Sequence, residues 1–198
     1  MKFDTREGWL HAATQEMAST FKELGAPLPP KIRIAIGFPS AGLRGRAIGE
    51  CWDKNCSEDG HFEIFIRPDY SNHENFTIQV LATLAHELIH AALGIEEGHG
   101  PNFRRVYKAI GLMGRATATY AGPDFINWMN RIIPKIGEIP HGIIQSERGV
   151  STRKKQQRNR YHKCTCPECG YTVRTAKKWI EMGLPCCPFH GEMLTETE

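Results

Sequence analysis

The sequence predicts an α+β core followed by a small cysteine-bearing module. Three observations predict it: short apolar/polar alternations in the first third, longer stretches with apolar residues three and four apart on either side of them, and cysteines crowded into the last fifth. The first helix is expected between Asp4 and Leu24. There Leu10, Ala13, Met17, Phe21 and Leu24 share a face, Asp4 and Glu7 are spaced as a capping box, and Gly25 with Pro27, Pro29 and Pro30 ends the run. Strands follow at Ile32, Ile34, Ile36 and Phe38, at Ala47 to Trp52, and at Phe62, Ile64 and Ile66, separated by turn residues over Pro39 to Gly45 and Asp53 to Gly60.

The stretch from Phe76 to Leu93 predicts a long helix whose circumference is mostly apolar. Ile78, Leu81, Ala85, Leu88 and Ala92 form one face, and Val80, Leu84, Ile89 and Leu93 widen it. One polar stripe remains, made of Gln79, Thr83, His86, Glu87 and His90. A helix this apolar is buried, so its polar stripe must face a cleft, a metal or buried partners. Two more helices are expected, Asn102 to Ile110 and Asp124 to Ile136; in the second, Phe125, Trp128, Met129 and Ile132 read as core. Beyond Pro140 the periodicity fades into a linker.

A chain of 198 residues with 40% apolar content can bury one sizeable core and carry one small module. No apolar run has the length of a membrane span and the N-terminus lacks the apolar stretch of a secretory signal, so an intracellular, cytoplasmic protein without a membrane partner is expected. The net charge is only +3, but it is unevenly placed. Arg148, Arg153, Lys154, Lys155, Arg158, Arg160, Lys163, Arg174, Lys177 and Lys178 are opposed only by Glu168. Such a block attracts polyanions by counterion release, which makes nucleic acid the first partner to consider, with Arg153, Lys154, Lys155, Arg158 and Arg160 as phosphate contacts; a solvated linker is the alternative.

His86-Glu87-Leu88-Ile89-His90 is an H-E-x-x-H pattern on a helix. Four-residue spacing sets both imidazoles on one face, one turn apart, where they can grip one zinc ion, and Glu87 between them can take a proton from a metal-activated water. A catalytic zinc needs a third protein ligand and an open position. Gly94 should end the helix, and His99, between Gly98 and Gly100, can return to the metal; Glu96 and Glu97 are the rival ligands. Near the C-terminus, Cys166-Pro-Glu-Cys169-Gly170 and Cys187-Pro-Phe-His190-Gly191 form two knuckles. Four N/S ligands with no open position make a structural zinc site, with Cys164 and Cys186 as neighbours able to swap in. Cys51 and Cys56 read as ordinary core and loop thiols, and His11, His61, His73, His141 and His162 as surface or capping residues.

His86-Glu87-Leu88-Ile89-His90 followed by His99-Gly100-Pro101-Asn102-Phe103 resembles the SprT-like family, which pairs H-E-x-x-H with a downstream H-G-P-x-F and includes the Spartan proteases. Gly45-Arg46-Ala47-Ile48-Gly49 with the strand at Phe62 to Ile66 looks like the family's segment before the active helix. The stretch Gly111 to Gly122, Pro140-His141 and the C-terminal Cys-Gly-Tyr and Trp segments look like its phage-type branch. The resemblance implies a small zincin-like core of helices on a short antiparallel sheet, then a zinc ribbon. It also implies activity on proteins bound or crosslinked to DNA, as in DNA-protein crosslink repair, in a host cytoplasm if the chain is phage-encoded. The ribbon's His190 departs from the family's usual cysteine.

The expected organisation is a zinc peptidase core over 1–145, a basic linker over 146–163 and a zinc ribbon over 164–198. Two Zn2+ are expected, one catalytic on His86, His90 and His99 and one structural on Cys166, Cys169, Cys187 and His190. The expected activity is a zinc-dependent endopeptidase with Glu87 activating the water, a DNA-associated protein as substrate and DNA as partner. The rivals are a non-catalytic DNA-binding zinc protein and a zinc hydrolase of another substrate. Tyr161, Tyr171 and Trp179 read first as ribbon core and second as stacking platforms for unpaired bases.

Overall fold

In the computed structural model, which describes residues 3–42, 45–69, 75–140, 142–144 and 161–195, the first helix starts one residue later than expected. Helix α1 (Arg6–Glu23) is capped by Thr5, whose hydroxyl accepts a hydrogen bond from the Gly8 amide at 3.1 Å. Glu7 closes no capping box. Its Oε1 accepts from the amide of Ile36 at 3.2 Å and so fastens α1 to strand β1 (Ile32–Ile36). Trp9, Leu10, Ala13, Met17 and Phe21 are buried along the inner face of α1, as their three- and four-residue spacing requires. Each such side chain contributes on the order of 1.5–3 kcal/mol of transfer free energy if it is a large apolar one.

Strands β1, β2 (Gly49–Trp52) and β3 (Phe62–Ile66) form one sheet in the order β1-β3-β2. Strand β2 runs antiparallel to β3, whereas β1 runs parallel to it, with Ile32 opposite Phe62 and Ile36 opposite Ile66. The sheet is therefore mixed, not wholly antiparallel. The chain reverses once between β1 and β2 and again between β2 and β3, so the first and third strands share a direction. Phe62, Ile64 and Ile66 on alternate positions of the central strand are buried.

Helix α2 (Phe76–Leu93) crosses this core and packs against α1, β2 and β3. It is the one helix among the described residues that is long and apolar enough to span a membrane. Two thirds of it are buried inside the protein, however, and Thr77, Thr83 and Glu87 are buried with it, so it is a core helix. Next come α3 (Pro101–Ala109), a hairpin of β4 (Leu112–Arg115) and β5 (Ala118–Ala121), and α4 (Pro123–Ile136). The neck of the hairpin is closed by glycines: the Gly122 amide donates to the Gly111 carbonyl at 3.1 Å, and a Cβ on Gly122 would lie 2.5 Å from that same oxygen. Gly111 has φ +83, and a Cβ there would overlap the backbone of Phe125. At the far end of α4, the Gly137 carbonyl accepts from Trp9 Nε1 at 2.9 Å, returning the last helix to the first.

The chain divides into two compact units, Met1–Gly149 and Val150–Glu198. The second holds β6 (Tyr161–Thr165), β7 (Thr172–Ala176), the short α5 (Lys177–Ile180), β8 (Cys186–Cys187), β9 (Gly191–Glu192) and β10 (Leu194–Thr195), with sheets β10-β6-β7 and β8-β9. Its core is Cys164, Cys166, Cys187 and Met193, backed by Val173 and Ile180. Strand β6 begins at Tyr161, inside the stretch expected as linker. Arg153, Lys154, Lys155, Arg158 and Arg160, with the rest of the expected linker up to residue 160, lie outside the described residues, as do His73 and His141. One expectation is overturned here: Tyr161, Tyr171 and Trp179 are not ribbon core but exposed, at 60%, 48% and 52%. A core of three thiols and one methionine is too small to cover rings of that size.

Candidate metal centre and cleft

His86 and His90 stand one turn apart on α2 and point the same way. Helix α2 stops at Gly94, whose φ of +85 breaks the helix. A single 3-10 turn, Ile95–Glu97, and Gly98 at φ +53 then bring the chain back. This path delivers His99: its Nε2 lies 3.4 Å from His86 Nε2, and one ligand atom from each of His86, His90 and His99 falls within 4.8 Å of the others. Two nitrogens bound tetrahedrally at about 2.0–2.1 Å from one zinc ion are about 3.3–3.4 Å apart, so the donor set fits that ion. Glu96 and Glu97 do not join the cluster. Glu97 has another task, since its Oε1 accepts from the Asn102 amide at 2.9 Å at the start of α3, and Gly100 leaves the space that this carboxylate fills.

Phe103 is fully buried beneath all three rings, with centroid distances of 4.9, 4.6 and 4.8 Å to His86, His90 and His99. It serves as a common floor. The backbone carbonyl of His99 accepts from Arg104 Nε at 3.0 Å, and His86 Nδ1 lies 2.8 Å from Thr119 Oγ1 on β5. Burial, aided by the neighbouring imidazoles, pushes His86 down to about 3 and His90 down to about 4. Burial likewise lowers His99, with the Arg104 charge adding to it. All three are thereby held in the neutral form that a metal ligand needs.

Glu87 lies on the same stripe but outside the three-nitrogen group. Burial, with the negative charge of Glu50 second, pushes its carboxyl up to about 8. A cation beside it would reverse that balance and favour the carboxylate. The β2 backbone presses directly on this group: a Cβ on Gly49 would lie 2.5 Å from Glu87 Oε1 and 2.7 Å from Thr83 Cγ2. Glu50 is itself fixed by the amide and hydroxyl of Ser40, each donating at 2.7 Å. Glu87 and the histidines open on a cleft of about 540 Å³ walled by Ala47, Ile48, Ile95 and Ala118. Cys51 also borders this cleft, so it is a cleft-wall thiol and not a plain core residue; burial, then the Glu87 charge, push it well above its ordinary value. Cys56 is exposed, as expected of a loop thiol.

In the second unit Cys166, Cys169, Cys187 and His190 converge within 4.8 Å. The Cys169 and Cys187 sulfurs are 3.6 Å apart, and His190 Nδ1 lies 3.5 Å from Cys187 Sγ and 3.8 Å from Cys166 Sγ. Ligands about 2.0–2.3 Å from one tetrahedral zinc stand roughly 3.5–3.8 Å apart, so this group also fits a metal ion. Gly170 at φ +73 makes the turn after the first knuckle. Cys164 packs in the core and Cys186 is exposed, and neither belongs to the group. Of the other histidines, His11 meets Gln15 and His61 meets Asp59 on the surface.

Sequence reasoning alone assigns no role to the Phe103 floor, the Gly49 contact or Thr119. All three residues fall within stretches that stand out for other reasons, and nothing about Thr119 itself marks it. Replacing Phe103 should disturb all three histidines at once. Phe103→Ala should lower stability by about 3–5 kcal/mol and weaken metal binding at the histidines, with Phe103→Leu milder in both. Thermal melting and metal titration of the two variants test this, and unchanged metal affinity in both would remove the floor role.

Residues 33–121 match the SprT-like family model, a span that runs from β1 to β5 and contains His86, Glu87, His90, His99 and Phe103. No curated protein and no solved structure matches the chain. The span that holds the three converging histidines and Glu87 is thus similar to the SprT-like family.

Proposed function

We propose that this protein is a zinc-dependent endopeptidase acting on DNA-bound or DNA-crosslinked proteins, with one catalytic and one structural zinc. The observation that carries the reading is the convergence of His86 Nε2 and His99 Nε2 at 3.4 Å beside the buried Glu87 carboxyl, at the floor of an open cleft. When bound there by His86, His90 and His99, zinc supplies a Lewis acid for the scissile carbonyl and lowers the pKa of water. Glu87 takes the proton from the attacking water and passes it to the leaving amine. A purely structural three-histidine site has no use for an acid buried on that stripe, which favours catalysis over a non-catalytic DNA-binding role.

Strand β2 is the sheet edge on the cleft side, where Gly49, Glu50 and Cys51 line the wall. An extended substrate segment can add to such an edge through backbone hydrogen bonds, and its side chains would meet the apolar wall of Ala47, Ile48, Ile95 and Ala118. The ribbon's exposed Tyr161, Tyr171 and Trp179 suit stacking on unpaired bases, and Lys178 Nζ lies 4.5 Å from the Trp179 ring. With Arg153, Lys154, Lys155, Arg158 and Arg160 preceding them in the chain, they supply the DNA-binding part of the proposal. The ribbon's thiolate ligands suit a reducing, intracellular compartment.

Glu87→Gln should keep both metals and the melting temperature yet reduce cleavage of a DNA-bound protein by about 10² to 10⁴, acting on turnover more than on binding. Cleavage at the wild-type rate would refute the base assignment, and metal loss would make Glu87 a ligand. A second prediction concerns DNA. Changing Arg153, Lys154, Lys155, Arg158 and Arg160 to Gln should weaken single-stranded DNA binding and flatten its logarithmic salt slope by about 0.7 for each phosphate left unneutralised. Unchanged affinity and slope would reduce that segment to a linker.

A further inference from the structure

His86 is the ligand whose second nitrogen has an identified side-chain partner. Its Nε2 faces His99 Nε2 at 3.4 Å, so with a metal bound between these two nitrogens the proton of His86 is on Nδ1. That N–H points at Thr119 Oγ1, 2.8 Å away and 33 residues along the chain. The hydroxyl oxygen accepts the hydrogen bond and thereby selects the tautomer in which Nε2 is free to ligate. We propose that Thr119 is a positioning residue for the metal centre, setting the tautomer and ring orientation of His86, and that the β4–β5 hairpin carries it there; this rests on the metal-binding reading of the three histidines.

The hairpin is built to hold that hydroxyl still. Thr119 lies opposite Gly114 in the register, while its neighbours Met113 and Tyr120 face outward and are about half exposed. Period-two alternation then turns Thr119 inward, toward α2, against which β5 packs. The glycine neck at Gly111 and Gly122 fixes one end of the hairpin. On the other side, Tyr107 Oη donates to the Gly114 carbonyl at 3.4 Å, linking the hairpin to α3, the helix that carries Phe103. His86 is thus held on two sides, by a T-shaped contact with the Phe103 ring and by Thr119 at its Nδ1.

The test uses the full chain as wild type, Thr119→Val and Thr119→Ser. Valine keeps the shape and removes the acceptor; serine keeps the acceptor and removes the methyl group. Cobalt(II), competed with a chelator, reads the two metal sites separately, because only the ribbon's thiolates give sulfur-to-metal charge-transfer bands. Thr119→Val should weaken cobalt and zinc binding at the histidines by about 10- to 100-fold, with the ribbon site and the melting temperature of the metal-free chain unchanged. Thr119→Ser should keep wild-type affinity. Wild-type affinity in Thr119→Val overturns the inference, and so does an equal loss in Thr119→Ser, which would make the methyl group and not the hydroxyl responsible. If the wild type itself takes up metal only at the ribbon, the metal-binding reading fails and the inference with it, a result seen before any variant is compared.

Discussion

Helix α2 is buried along most of its surface, and it nonetheless carries a buried carboxyl and two partly buried imidazoles to the wall of a cleft. Polar groups in such a place cost several kcal/mol unless each finds a partner. Much of the first unit's architecture answers that cost. Thr83 bonds back to the Gln79 carbonyl within the helix, Thr119 meets His86, and the three histidines turn their nitrogens on one another at a separation that suits a shared cation. A single metal ion would satisfy all three of those nitrogens at once.

The elements around α2 divide the remaining tasks. The mixed sheet puts its edge strand, not its centre, beside Glu87, and Gly49 permits backbone contact where any side chain would collide. The glycines at 94 and 98 let a short segment fold back so that a third histidine reaches the other two. Phe103 then presses on all three rings from a helix whose start is fixed by Glu97. Each support comes from a different segment. The site is therefore a property of the packed unit and cannot be assigned to the helical motif alone.

What is legible in the sequence depends on periodicity and spacing. Helix α2 and strand β3 can be bounded because long apolar runs and clean alternation leave one reading, and the need for a third ligand after a glycine break points to His99, with Glu96 and Glu97 as rivals. The β4–β5 hairpin leaves no such periodic mark: Leu112–Arg115 and Ala118–Ala121 are short, interrupted by Gly114, and half exposed, so neither period emerges. Thr119 is hidden for that reason, since its role depends on a pairing across the tertiary structure. The cap of α1 moves from Asp4 to Thr5 because both residues cap well and the choice falls to Glu7, which bonds to Ile36 instead. The ribbon aromatics depart from expectation because hydrophobic character suggests a core, while the unit's actual core is only three cysteines and a methionine.

In the function proposed above, His86, His90 and His99 hold a metal while Glu87 stands free beside it. Anomalous diffraction at the zinc edge from crystals of the zinc-loaded protein addresses this directly, because it locates each ion separately. One peak is expected about 2.0–2.1 Å from a nitrogen of each of the three histidines, with the Glu87 carboxylate outside bonding distance, and a second peak among the ribbon ligands. No peak among the histidines, or a peak bound by Glu87 with His99 turned away, would contradict it.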